Sequence, residues 1–470
     1  MQTKRDRLFH CLFTVALVAS GCVESSTVDP SVSASIEEPT TVDAPNASAA
    51  QQFHRAANQN SSAKANQSWP QLFGADRTSV VATEINPFWG PEGPPKNWSL
   101  KIGTGYGSPV VADGNVVFNH RIEDEEIIQC VDAKTGETVW KHAYPTTFET
   151  EFDYSNGPYS TPVIANGQVF SAGGQGQFFC LNATTGDLIW SRDLHQEYAL
   201  EDDIFAVGST PLLVGNRLIF NLGAAAKNAG VVALDRNTGT TMWESTNHGA
   251  AYCSPFAANI HGKDFVFVVT EIGLVSMHPD TGEVDWSIEH RSRSPMSFNA
   301  VSPLVDGDKV LVVTGPGPGA VCVRVLPDRS YQPLWKDRRV IDCQFNSLML
   351  HSGHIFGFTA AGQGGAEFRC VDFETGELRW KYHSLLRRGQ GLIAGNAILL
   401  LGEQGHLASL LLSQESPQVI SFTNEPLISS PGYCAPALAA GRLFLKEEYR
   451  LTCFDVTPTT GRHFTNLGGR

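Results

Sequence analysis

The chain is patterned in short apolar runs separated by turn-forming polar clusters. The pattern is cleanest from Ser160 to Trp190, STPVIANGQVFSAGGQGQFFCLNATTGDLIW. Val163 and Ile164 form one apolar run, and Val169 and Phe170 a second, with Asn166-Gly167 between them. Asn-Gly between two such runs marks a tight hairpin, because a type I′ turn needs positive φ at both central residues. A glycine-rich turn (Gly173, Gly174, Gly176) leads to the run Phe178 to Leu181. The polar turn from Asn182 to Gly186 then leads to Leu188–Trp190. Four short strands joined by three turns predict one antiparallel sheet.

Related units stand on both sides. The first holds Ser108-Pro109, Asp113-Gly114, Cys130-Val-Asp132, Thr135-Gly136 and Trp140; the third holds Thr210-Pro211, Gly215-Asn216, Asp235, Thr238-Gly239 and Trp243. A fourth runs from Ser254-Pro255 to Trp286, and a fifth from Ser302-Pro303 to Trp335 with a degenerate third turn. The sixth keeps Cys370-Val-Asp372, Thr375-Gly376 and Trp380, whereas the seventh, about 390–422, loses both the Thr-Gly turn and the Trp. An eighth begins at Ala435-Pro436 and stops at Cys453-Phe454-Asp455, one strand short. The Trp residues recur 50, 53, 43, 49 and 45 residues apart. Four strands at a period of roughly 40–50 residues are the signature of a β-propeller. Lys96–Leu100 carries the Trp98 that the last unit lacks, so this N-terminal strand is expected to close the ring and remove its open edge. The expected fold is all-β: an eight-bladed propeller of four-stranded antiparallel blades over 69–457, or seven blades if the weak seventh unit is a long connection.

The repeat C/A-x-D-x-x-T-G-x-x-x-W resembles the PQQ-like repeat, named for the quinoprotein alcohol dehydrogenases and shared by the propeller lipoprotein of the outer-membrane barrel-assembly machinery. Trp69-Pro-Gln-Leu-Phe-Gly74-Ala-Asp-Arg77, with Trp89-Gly-Pro-Glu-Gly-Pro, is similar to the start of a large family of exported PQQ-like propellers. That resemblance implies the fold; it also raises a PQQ-dependent dehydrogenase using PQQ and Ca²⁺ as the alternative function. Against that alternative, the chain has no adjacent cysteine pair, no C-x-x-C-H haem motif and no Glu-Asn-Asp set matching the family's Ca²⁺ ligands. No zinc helix, nucleophile elbow or P-loop occurs either. No cofactor and no catalytic or metal-binding residues are therefore expected.

The N-terminus and the charge place the molecule. Lys4, Arg5 and Arg7 precede an apolar stretch from Leu8 to Ala19, too short to span a bilayer, as in a secretory signal over 1–22. Ala19-Ser20-Gly21-Cys22 resembles a bacterial lipobox, with Ala19 where Leu is usual. This implies lipidation of Cys22, a membrane anchor and, with no Asp after the cysteine, sorting to the outer membrane. Residues 23–68 are rich in Ser, Thr, Ala, Pro, Gln and Asn and read as a disordered tether. At roughly 5–6 Å × √n it would hold the propeller about 40 Å from its anchor. Residues 458–470 form a tail. The expected location is the cell envelope, facing the periplasm. The net charge of −14 and the lack of a basic stripe argue against nucleic acid.

The cysteines follow the repeat. Cys130, Cys180, Cys370 and Cys453 share one repeat position with Ala233 and Ser276, where a small buried residue is needed. Cys253, Cys343 and Cys434 precede first strands, and Cys322 lies in a third strand.

The candidate site comes from residues the blades do not require. First strands of a propeller line its channel, so the loops leading into them surround the channel mouth. Three residues before the recurrent Pro stand Tyr106, Tyr159, Tyr252 and Tyr433, with Phe345 in the sixth unit and Gly208 and Ala300 in the third and fifth. Asn156, Arg293, Asn299 and Asn346 lie nearby, as do Asp153, Asp202, Asp203, His248, Arg291, Asp342, Arg388 and Gln390. Aromatic rings with mixed polar groups suit a peptide, a glycan or a partner loop. The expected activity is non-catalytic binding or scaffolding, with a protein or envelope polymer held at the channel mouth.

Overall fold

The recurrent residues of the repeat fix each blade's third turn and bind one blade to the next. The computed structural model describes residues 67–150, 154–200, 206–293, 298–346, 348–359, 365–383 and 386–459. The expected signal segment with Cys22, most of the tether and tail, and Asp153, Asp202 and Asp203 lie outside the described residues.

The described strands form eight sheets, each an antiparallel four-stranded blade, one of them extended by a parallel strand from the N-terminal segment. Blade 1 is built from Val110–Ala112, Asn115–Ile122, Glu125–Asp132 and Thr138–Pro145, and the next five repeat that order. The weak seventh unit is a full blade, Gly389–Ala394, Ala397–Gly402, Leu407–Leu411 and Gln418–Phe422, so the ring has eight blades and not seven. The eighth takes Lys96–Lys101 as its outer strand, with Trp98 opposite Cys453.

The third turn of each blade is fixed by its own side chain. Asp132 Oδ1 accepts from the Lys134 and Thr135 amides, both at 2.8 Å, and Asn182 and Asp235 do the same in blades 2 and 3. The glycine that follows takes positive φ and leaves room for a tryptophan of the preceding blade. A Cβ on Gly186 (φ +76°) would stand 2.7 Å from the Trp140 ring. Each indole N–H then reaches across: Trp98 donates to Ala133 O at 3.2 Å, Trp140 to Ala183 O at 3.1 Å and Trp190 to Arg236 O at 2.9 Å. Trp243, Trp286, Trp335 and Trp380 continue the series to Pro279, Arg329, Phe373 and Ser413. A small residue stands opposite each indole. Cys130 pairs with Trp140, Cys180 with Trp190 and Cys370 with Trp380, and Cys322, opposite Trp335, belongs to the same set. All eight described cysteines are buried free thiols.

A second girdle, of hydroxyls, runs round the channel from blade 8 through blades 1 to 5. The Ser/Thr before each Pro bonds to its counterpart in the next blade: Ser108 N donates to Thr161 Oγ1 (3.0 Å), Thr161 N to Thr210 Oγ1 (3.1 Å) and Thr210 N to Ser254 Oγ (3.0 Å). Ser254 N continues to Ser302 Oγ (3.1 Å), and Ala435 N donates back to Ser108 Oγ (2.9 Å).

The N-terminal segment has a role its sequence did not announce. It satisfies the inner backbone edges of the first strands, which would otherwise be unpaired. Trp69 exchanges backbone bonds with Val111 (2.7 and 2.8 Å), Pro70 O accepts from Ile164 N (2.8 Å), and Val80–Val81 pairs in parallel with Ile393–Ala394. Arg77 is buried, with Nη1 donating to Pro255 O (3.0 Å), Nη2 to Pro211 O and Nε to Gln71 Oε1 (2.9 Å). Burial lowers its pKa to about 9, which leaves it a cation at neutral pH. Blade 7 lacks a tryptophan because Ser421 occupies that place opposite Ser409; its hydroxyl bonds instead to the backbone of Trp89.

Candidate functional site

The loops leading into the first strands bring the aromatic residues together. Tyr106, Tyr159, Tyr252, Phe345 and Tyr433 line a mouth of about 250 Å³, joined by Tyr154 and Phe298. Tyr106 is the hinge of the cluster, with ring centroids 4.9 Å from Tyr159 and 5.2 Å from Tyr433. Phe345 meets Tyr433 edge-on at 4.9 Å, Tyr154 stacks on Tyr433 at 6.4 Å and Tyr252 meets Phe298 at 5.5 Å. Such pairs contribute about 0.5–1.5 kcal/mol each beyond area burial and hold one another in place.

Backbone placement explains why the rings converge. The Tyr106 and Gly107 amides both donate to Pro158 O at 3.0 Å, tying the loops into blades 1 and 2 together. A Cβ on Gly107 would lie 2.4 Å from Ser160 O, so this approach requires glycine. The Tyr159 hydroxyl donates to Ser155 O (2.9 Å), and the Ser155 amide donates to the Tyr106 hydroxyl (3.2 Å). Gly208, at the same repeat position in the third unit, faces Tyr252: a Cβ there would lie 2.7 Å from its ring.

Carboxylates stand behind the phenols. Thr104 Oγ1 donates to Glu448, and the Tyr433 hydroxyl lies 3.4 Å from Glu403 Oε1. Glu403 also holds Arg388 through two bonds of 2.9 and 2.8 Å, and the guanidinium sits 4.9 Å over the Phe345 ring. Burial first, and these carboxylates second, push the pKa of Tyr106, Tyr159 and Tyr433 upward, so the phenols stay protonated.

Other candidates are placed elsewhere. Asn299 is buried, its amide donating to Thr270 O (2.7 Å) and accepting from Thr314 Oγ1 (2.9 Å). Asn346 is buried and donates to Gly389 O (2.9 Å), while Asn156 Oδ1 accepts from Thr150 N (2.9 Å). Gln390 donates to Phe345 O (3.3 Å) and Tyr433 O (3.1 Å), and so braces the mouth from behind. Arg293 is exposed and does not line the mouth; Arg291 pairs with Glu271, His248 bonds to Thr270 Oγ1, and Asp342 accepts from Gly317 N. Tyr154 and Phe298 were missed because they sit off the Pro-minus-three position. The available signal was an extra aromatic, Tyr154, in one loop and the lone aromatic, Phe298, in the other.

A second cavity of about 400 Å³ lies beside the mouth, between blades 2 and 3, and shares Gly208 and Tyr252 with it. Among the described residues no group of three or more His, Cys, Asp or Glu side chains could hold a metal ion. The quinone raised as an alternative cofactor bears three carboxylates, yet no described residue lining the mouth is basic. The mouth volume of about 250 Å³ is also below the roughly 300–1,000 Å³ of ordinary small-molecule sites. The residues present at the mouth therefore do not fit that group.

Residues 123–382, more than half of the chain, match the family model described as outer membrane protein assembly factor BamB. A curated relative, the outer membrane protein assembly factor BamB of Moranella endobia (strain PCIT), is 26% identical over 211 residues, 44% of this chain and 47% of that protein. A quinoprotein ethanol dehydrogenase of Pseudomonas aeruginosa is 28% identical over 148 residues, 28% of this chain and 22% of the dehydrogenase. The chain thus spans about half or less of the curated relatives it matches. The crystal structure of BamB from Moraxella catarrhalis superposes with a TM-score of 0.55 at 16% identity, covering 78% of this chain and 98% of that one, a likeness of fold alone.

Proposed function

Because the chain belongs to the family described as outer membrane protein assembly factor BamB, we propose that it is a non-catalytic binding or scaffolding module of the cell envelope. In this reading it is exported by its N-terminal segment, anchored through a lipid on Cys22, and presents the aromatic mouth to a protein or envelope polymer. The observation that carries the reading is the mouth itself. Seven aromatic side chains converge there, and none belongs to the indole latches or the hydroxyl girdle that close the ring. Large rings with few rotatable bonds give contact area at low entropy cost, as binding surfaces need. No described residue lining the mouth is basic, so it offers no charge-paired contact to an anionic cofactor.

The relatives include a quinoprotein ethanol dehydrogenase, so the competing outcome is a PQQ- and Ca²⁺-dependent oxidation of alcohols or sugars. Titration of the purified protein with PQQ and Ca²⁺ separates the two. The binding reading expects no bound-quinone spectrum at micromolar PQQ and no dye reduction with alcohols or sugars. A saturable quinone spectrum with substrate-dependent dye reduction would overturn it.

A further inference from the structure

Two asymmetries between the blades define what the mouth can hold. The first is electrostatic. Glu403 lies at the Tyr433 hydroxyl and Glu448, bonded to Thr104, acts electrostatically on Tyr106, and negative charge beside a phenol favours a cation over its ring. The site already stacks one guanidinium, that of Arg388 over Phe345. The buried Lys446 donates to Gly105 O and offsets part of the Glu448 charge. The chain as a whole carries −14, which favours a basic partner in long-range encounter.

The second asymmetry is an unpaired acceptor. Asn119 and Asn221 occupy the same position of the second strand in blades 1 and 3, opposite Ile128 and Val231. Asn119 is fully matched: Nδ2 donates to Ser160 O (3.2 Å) and Ser171 Oγ (2.8 Å), and Oδ1 accepts from Ser171 Oγ (3.1 Å). Blade 4 has Val268 where blade 2 has Ser171, and so no hydroxyl there. Asn221 Nδ2 therefore donates to Val269 O (3.0 Å) and Ala251 O (3.3 Å), which fixes the amide orientation. Its Oδ1 is left buried with no hydrogen-bond partner. Asn221 is 2% exposed and lines the 400 Å³ cavity that shares Gly208 and Tyr252 with the mouth. An unmatched buried acceptor costs about 1–3 kcal/mol, and a donor placed in the cavity would recover it.

We infer that the mouth takes the side chain of a Lys or Arg carried on an extended segment of a partner protein, whose flanking backbone N–H donates to Asn221. The inference rests on the mouth being the binding face. A long cationic side chain matches a 250 Å³ aromatic opening, and an extended peptide supplies backbone donors on either side of it.

The test is isothermal titration of the purified protein with end-blocked pentapeptides, Ala-Ala-Xaa-Ala-Ala, in which Xaa is Arg, Lys, Gln or Glu. The Arg and Lys peptides should bind ~5-fold or more tightly than the Gln peptide, with Glu weakest. Glu448→Gln should narrow that gap, and N-methylation of one backbone amide of the Arg peptide should weaken it. Equal binding of the Arg and Gln peptides, with both lost in Tyr106→Ala, would keep the mouth as a binding face but overturn its cation preference. Binding of a neutral oligosaccharide and of no peptide would overturn the protein partner. If no peptide binds, and crosslinks in intact cells are unchanged by Tyr106→Ala, the mouth is not the binding face and both readings fall. Glu448→Gln preserves shape, so it remains informative even where Tyr106→Ala does not fold.

Discussion

Two glycines with nearly the same backbone separate the strain of a turn from the packing of a latch. Gly186 has φ +76° and Gly167 has φ +74°. An alanine at either position pays the left-handed penalty of roughly 1–2 kcal/mol. At Gly167 nothing lies within 4 Å of the added Cβ, so the cost ends there. At Gly186 the Cβ would meet three atoms of the Trp140 ring at 2.7, 2.8 and 2.9 Å, adding about 1–3 kcal/mol of overpacking. Displacing the indole also strains its 3.1 Å bond to Ala183 O, a further contribution of about 1 kcal/mol. Gly186→Ala should therefore destabilise by roughly 3–6 kcal/mol and Gly167→Ala by roughly 1–2. Urea unfolding followed by tryptophan emission measures both, provided the slope is unchanged. Equal midpoints for the two variants would refute the claim that the glycine serves the neighbouring indole.

Three further outcomes follow from the same geometry. Thr161→Val removes the acceptor of the buried Ser108 amide and should cost about 1–3 kcal/mol in the same unfolding assay. Arg77→Met strips two bonds that tie the N-terminal segment to blades 3 and 4 and a third, to Gln71, within the segment. Recovered desolvation offsets part of that loss, leaving roughly 2–4 kcal/mol, and limited proteolysis should cut sooner within residues 69–79. Glu126 is buried, accepting from the Tyr144 hydroxyl (2.7 Å) and the Gly174 amide (3.0 Å), and burial raises its pKa. A carboxyl with a raised folded pKa binds more protons folded than unfolded, so its contribution is lost as pH rises from the ordinary carboxylate range through the raised value. Glu126→Gln should flatten that fall; parallel pH–stability profiles would contradict the assignment.

The sequence disclosed whatever the repeat enforces locally. Trp140, Trp190 and Gly186 recur because seven of the eight blades use the same latch, so spacing exposed those blades and the closing role of Trp98, while blade 7, without the latch, left seven blades as the alternative. Cys322 escaped the cysteine set because the degenerate Pro327-Asp-Arg329 turn hid its register, which pairing with Trp335 restores. The Trp69–Arg77 segment could be matched as a motif but not placed. Its partners, Pro211 O and Pro255 O, lie 134 and 178 residues away, and no local periodicity reports such contacts. The mouth was legible where it obeyed the repeat, as at Tyr106 and Tyr159. It was illegible where Phe298 fills the space from a shifted loop position. Asn299 and Asn346 looked like site residues because polar loop side chains usually face water; here they satisfy buried backbone carbonyls.

Photo-crosslinking in intact cells tests the binding role most directly. A photoreactive residue in place of Tyr154, which is 45% exposed at the rim of the mouth, should trap a defined partner. That crosslink should vanish in Tyr106→Ala and Tyr433→Ala variants whose urea midpoints show an intact fold. The same crosslinks at undiminished yield in both variants would contradict the account.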